Sequence, residues 1–149
     1  MATIEAPQKG LDAEQDTGQK RTRVVLVDDN PAILEVVTQI LRNRYVVAGA
    51  FLDGKSVLQE WTNLWPDVLV LDISMEGLSG FEVAENLQVL GFGAKIVFLT
   101  VYEDSEFVSN AFAVGAPAYV FKSRIATDLI PAIDKARTGG MFVSSLRTC

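Results

Sequence analysis

Histidine is missing altogether from the 149 residues. That excludes a His-based zinc site, a His-dependent catalytic triad and a phosphohistidine. Cysteine occurs once, as Cys149, so no intramolecular disulfide can form, which fits a reducing compartment and a cytoplasmic protein. No apolar run has the length that a membrane-spanning helix requires. The N-terminus lacks the apolar core of a secretion signal. Positive charge is scarce: 13 Lys and Arg stand against 19 Asp and Glu, a net charge of −6. A domain of that sign is not expected to bind nucleic acid directly, and no membrane partner is expected.

What the chain does have is apolar residues, 49% of the total, enough for one domain with a proper core. Residues 1–22 are polar and read as a disordered tail, with Ile4 and Leu11 the only large aliphatics after Met1. From Arg23 a pattern repeats. VVLV ending at Val27 is an unbroken apolar run of the kind that forms a strand buried on both faces. Asn30 then Pro31 is a helix start, an N-cap followed by proline at the first helical position. Ile33, Val36, Val37, Ile40 and Leu41 recur at helical spacing. The same alternation follows four more times. Tyr45–Ala50 is a strand, and Asp53-Gly54 opens a helix closed by Pro66. Val68–Leu71 is a strand followed by a helix from Gly80. Ile96–Leu99 is a strand followed by a helix over Ser105–Val114. Ala118–Phe121 is a strand followed by a helix carrying Ile125, Leu129, Ile133 and Ala136, stopped by Gly139-Gly140. Residues 141–149 read as a C-terminal tail. Five strand–helix units with short right-handed crossovers give an α/β domain over 23–140, a doubly wound five-stranded parallel sheet. Its natural strand order is 2-1-3-4-5, the flavodoxin-like arrangement.

The strand ends carry the chemistry. Asp28 and Asp29 follow the first strand, Asp72 the third, Thr100 ends the fourth and Lys122 follows the fifth. In this order those four strands are neighbours, and the carboxyl edge of an open α/β sheet is where ligands bind. Singly, each residue has a plain structural role: a helix cap, a turn, a β-branched strand residue, a solvated lysine. Jointly they place three carboxylates together. Two at about 4 Å repel by roughly 4 kcal/mol at an effective dielectric near 20. Such a cluster takes up a proton or binds a cation. Lys122 supplies one positive charge, and carboxylate oxygens suit a hard divalent ion such as Mg²⁺ or Mn²⁺.

VVLVDDNP, VLVLDISM with Gly77 and Gly80 after it, FLT at Phe98–Thr100 and GAPAYVFKS at Gly115–Ser123 together resemble the response regulator receiver domain of two-component signalling. The resemblance runs from about Arg23 to Gly140. It implies that Asp72 is the phospho-acceptor for a sensor histidine kinase or phosphotransfer protein. It implies that Asp28, Asp29, Asp72 and the main-chain carbonyl of Ser74 bind Mg²⁺. Lys122 then contacts the phosphate, Thr100 is the switch hydroxyl and Tyr119 its aromatic partner. KSRIATDLIPAIDKARTGGMFVS is similar to the branch that usually precedes a helix-turn-helix output domain. The implied protein is a signalling phospho-acceptor rather than an enzyme acting on other substrates, with a homodimer formed on phosphorylation as one outcome.

Two positions depart from the family pattern. Glu76 stands where proline is usual, four residues after Asp72, and adds negative charge near the site. Val101 stands where alanine or glycine is common, beside Thr100, and acts as a gate on access to Asp72 because a β-branched side chain is stiff at its first torsion. Other classes fit less well. A flavodoxin-like cofactor binder needs a phosphate loop after the first strand, where this chain has two aspartates. A phosphatase with an aspartate nucleophile resembles an Asp-x-Asp loop, and Asp72 is followed by Ile73 and Ser74. A receiver-like interaction domain that works without phosphorylation stays open because of Glu76 and Val101.

Overall fold

The computed structural model describes residues 21–145, so the expectation of a disordered segment over 1–22 falls almost wholly outside the described residues. Within them the elements run β1 (Arg23–Val27), α1 (Pro31–Leu41), β2 (Val46–Phe51), α2 (Gly54–Leu64), β3 (Val68–Leu71), α3 (Gly80–Val89), β4 (Lys95–Thr100), α4 (Ser105–Ala113), β5 (Ala118–Phe121), α5 (Ile125–Arg137) and β6 (Phe142–Val143). A 3-10 turn, Lys122–Arg124, joins β5 to α5.

Three of the five helix starts, those of α1, α2 and α3, are set by short polar side chains that satisfy otherwise orphaned amides. The Asn30 side chain accepts from the Ala32 amide, with Pro31 at the first helical position. Asp53 accepts from the Ser56 amide at the start of α2. Ser79 and Glu82 form a reciprocal capping box at the start of α3.

All strand pairs are parallel and the order is β2-β1-β3-β4-β5-β6. The α/β class and the 2-1-3-4-5 order are those expected from the sequence. Strand side chains alternate between faces, and the two faces make separate cores. Val24 and Leu26 pack with α1 and α5, through Val37, Leu41, Leu129 and Ile133. Val25 and Val27 pack with α2, α3 and α4, through Val57, Val83, Leu87 and Ala111. Each fully buried leucine or valine contributes about 1.5–3 kcal/mol.

The sixth strand corrects the five-stranded expectation. Phe142–Val143, read as part of a tail over 141–149, pairs with Ala118 and Tyr119 of β5. Two residues carry no periodicity, so only the free edge of β5 makes them a strand. A buried polar cluster holds them there. Ser144 is 3% exposed. Its hydroxyl donates to Asp128 Oδ2 at 2.6 Å and accepts from the Phe121 amide at 3.1 Å. Arg124 Nε and the Thr127 hydroxyl, each at 3.0 Å, complete the shell around Asp128. Burial pushes the Asp128 carboxyl up, but the Ser144, Arg124 and Thr127 bonds outweigh it and hold it below the usual range.

Two outcomes follow. A β-carbon on Gly80 would lie 2.1 Å from the Asp72 carbonyl oxygen, and backbone cannot swing aside. Gly80→Ala is expected to lower stability by about 1–3 kcal/mol, read as a lower urea midpoint with an unchanged slope. Asp128, with its folded pKa depressed, adds stability that is present above the unfolded carboxylate value and lost as pH falls through the folded one. Asp128→Asn therefore unfolds more easily at neutral pH, and its deficit against the parent shrinks below about pH 4. A deficit that stays constant down to acid would show that the charge contributes nothing.

Candidate acidic site at the carboxyl edge of the sheet

The strand order reverses between β1 and β3, and the crevice outside a reversal is the ligand position of open α/β sheets. Val27 of β1 stands opposite Leu71 of β3, so the next residue on each strand, Asp28 and Asp72, are neighbours. The Asp72 amide donates to the Val27 carbonyl at 3.0 Å, which locks the two strand ends together. Asp28 and Asp72 are buried, at 3% and 4% exposed, whereas Asp29 faces solvent. One carboxylate oxygen from each of Asp28, Asp29 and Asp72 lies within 4.8 Å of the others.

Lys122 reaches this cluster from the far side of β4. Its Nζ lies 2.8 Å from Asp28 Oδ2 and 3.2 Å from Asp72 Oδ2. Only the Asp72 contact has hydrogen-bond geometry. Asp28 Oδ2 is therefore a buried carboxylate oxygen whose one close partner is the Lys122 ammonium. The other oxygens are engaged by backbone: Asp28 Oδ1 accepts from the Asn30 amide at 2.9 Å, and Asp72 Oδ1 from the Ile73 amide at 2.8 Å. Burial, then the Asp28 charge, pushes the Asp72 carboxyl up, against the pull of Lys122 and the Ile73 amide. Burial lowers the Lys122 ammonium, but Asp28 and Asp72 outweigh it and leave it raised. One lysine thus pairs with two of the three carboxylates, and Asp29 has no ion pair among the described residues. Three carboxylates with one ammonium between them are a donor set that fits a hard divalent cation.

The remaining sequence-predicted residues are placed as follows. Thr100 is fully buried at the end of β4 and stands opposite Phe121, one residue before Lys122. Its hydroxyl accepts from the Tyr102 amide at 3.4 Å, a long bond. Tyr119 is fully buried in the core. Its hydroxyl donates to the Tyr102 carbonyl at 2.6 Å, and burial, then Asp104, Asp72 and Glu103, raises its pKa. Val101 is 61% exposed at the loop that follows Thr100. Ser74 and Glu76 are exposed in the loop after β3. Sequence reasoning missed the clasp over the β4–α4 loop. Ser123 Oγ donates to Glu103 Oε2 at 3.0 Å, and the Tyr102 and Phe107 rings stack at 4.4 Å. It also missed what Gly80 does, although the glycine eight residues after Asp72 was a visible signal.

Residues 24–134 match the family described as the response regulator receiver domain. The chain is a response regulator receiver domain. The nitrate/nitrite response regulator NarL of Escherichia coli K12 is 28% identical over 134 residues, 89% of this chain and 62% of that protein. An uncharacterized transcriptional regulatory protein of Bacillus subtilis, YxjL, is 31% identical over 121 residues, 80% of this chain and 56% of that protein. The crystal structure of a LuxR-family response regulator from Aurantimonas superposes with a TM-score of 0.77 at 28% identity, over 83% of this chain and 89% of that one. The receiver domain thus spans about three fifths of the curated relatives it matches. These relatives are of the branch whose receiver domains precede helix-turn-helix output domains, as its C-terminal sequence had suggested. No described helix is long and apolar enough to cross a membrane.

Because the folded state disfavours the charged form of Asp72, Asp72→Asn is expected to melt at higher temperature than the parent in chelator-treated buffer. Millimolar Mg²⁺ should then raise the parent more than the variant. Equal melting of both proteins with and without Mg²⁺ would show that the carboxylate crowding is inconsequential.

Proposed function

We propose that this receiver domain is a phospho-accepting signalling module in which Asp72 takes a phosphoryl group from a sensor histidine kinase or phosphotransfer protein. The observation that carries it is the pairing of Asp72 and Asp28 with the one ammonium of Lys122, beside the exposed Asp29. A carboxylate oxygen of Asp72 forms the new bond to phosphorus as the donor's bond to phosphorus breaks. Lys122, already between Asp72 and Asp28, follows the charge as it moves onto the phosphoryl oxygens. A divalent ion, Mg²⁺ or Mn²⁺, held by Asp28, Asp29, Asp72 and the main-chain carbonyl of Ser74, supplies further neutralisation of those oxygens when bound.

The new group adds charge and strong acceptor oxygens. The Thr100 hydroxyl, held only by the long bond from Tyr102, turns to donate to them. Releasing the Tyr102 amide loosens the segment whose carbonyl Tyr119 holds, so Thr100 and Tyr119 act through one loop. The face formed by β5, α4 and α5 then changes its partners, a symmetric dimer among them. Val101 stands at the approach to Asp72 and slows entry of the donor and of a later water alike.

Incubation with acetyl phosphate and Mg²⁺, followed by intact mass, tests this. The parent gains one phosphoryl adduct, Asp72→Asn none, and Asp29→Ala loses the Mg²⁺ dependence. Val101→Ala loads and decays faster, by about tenfold for each 1.4 kcal/mol of barrier removed. Loading of Asp72→Asn equal to the parent would overturn the acceptor; a Val101→Ala protein matching the parent would remove only the gate. Light scattering with and without beryllofluoride reports the change in self-association.

A further inference from the structure

The opposite, amino edge of the sheet carries a second unusual surface. Trp65 ends α2 with φ 51°, the left-handed region. Side chains avoid that conformation, and glycine is the usual residue there. Yet the position holds the bulkiest apolar side chain, and it is 78% exposed. Such outliers concentrate at functional surfaces. Beside Trp65 lies an apolar groove of about 440 Å³. Its lining includes Trp61 and Phe92, whose rings pack edge to face at 5.2 Å. Val89 and Leu90, 87% and 55% exposed, end the neighbouring α3. A second groove of about 400 Å³ shares Pro66, Gly93 and Ala94 with the first. Its lining includes Arg21, Lys95, Arg137 and Asp67, and Arg137 is paired with Asp134 at 3.4 Å. A chain of net charge −6 thus places two cations that have no ion pair among the described residues, Arg21 and Lys95, in the groove that adjoins Trp65.

We propose that these joined grooves dock an acidic peptide segment of a partner protein, an apolar side chain lying against Trp65 and the flanking carboxylates on Arg21 and Lys95. The concavity favours a peptide over a flat membrane, since a groove of this size encloses a large side chain. Charge complementarity sets the sign of the peptide, and the aromatic floor sets its anchor. The surface is at the far end of the sheet from Asp72, so a partner at the phosphorylation site does not cover it.

The test uses the full chain and a labelled synthetic peptide of aspartates and glutamates around one leucine. Binding is expected to shift tryptophan emission to the blue and to weaken with added salt. Trp65→Gly removes the anchor and the backbone strain together. It should melt at the same or a higher temperature than the parent and lose about tenfold or more in peptide affinity. Lys95→Glu should lose a similar factor and flatten the salt dependence. The proposal is overturned if Trp65→Gly or Lys95→Glu binds the peptide as the parent does, or if a lysine-for-acid version of the peptide binds equally. It is overturned too if the blue shift appears only with phosphatidylglycerol vesicles, or only with rising protein concentration alongside a doubled mass.

Discussion

Three carboxylates gather at the carboxyl edge of the sheet with one ammonium between two of them, and much of the fold serves to keep them there. Two of the acids are buried, so their repulsion is not screened by water. The register of β1 against β3 puts Asp28 beside Asp72, and no side-chain rearrangement can separate adjacent strand ends. Lys122 does not come from a neighbouring strand end but reaches across from β5, beyond β4. Its long flexible stem makes that span, and its point charge suits two oxygens at unequal distance. A strand order that put β5 elsewhere would leave the acids without any internal cation. The topology and the electrostatics are one constraint.

The loop after β4 answers to that site through short links. Thr100, Tyr119 and Ser123 each hold a different group of the same segment: the Tyr102 amide, the Tyr102 carbonyl and the Glu103 carboxylate. Two of those three residues lie on or just after β5, next to Lys122 in sequence. The loop is therefore held both from the end of β4 and from β5. Beyond Lys122 the 3-10 turn leads to Arg124, which bonds Asp128, which in turn binds Ser144 of the segment after β6. The chain leaving the domain is anchored to the same strand that carries the lysine.

The two edges of the sheet have opposite character. The carboxyl edge gathers acids, as strand ends at a topological reversal allow. The amino edge carries exposed aromatics and a local excess of cations within an acidic chain. Charges this far apart are largely screened from each other at physiological salt, so each edge can meet its own partner.

The strands and the acidic site were legible in the sequence for a single reason. A parallel strand buried on both faces reads as a short unbroken apolar run, so its end is visible, and Asp28, Asp72, Thr100 and Lys122 sit at such ends. The helix starts at Asn30 and Asp53 were legible because a capping side chain acts on amides two or three residues away, whereas the capping box of Ser79 and Glu82 went unread. Other features had no local trace. β6 is two residues whose strand character depends on the open edge of β5. Asp128 and Ser144 look like surface residues until α5 and β6 close over them. Asp28 and Asp29 read alike, and only the path of the chain into α1 buries one and exposes the other. The ion pairs of Lys122 and the left-handed turn at Trp65 were likewise decided by tertiary structure. Local sequence sets backbone preference and burial periodicity, whereas partners far apart in the chain meet only when the sheet has chosen its order.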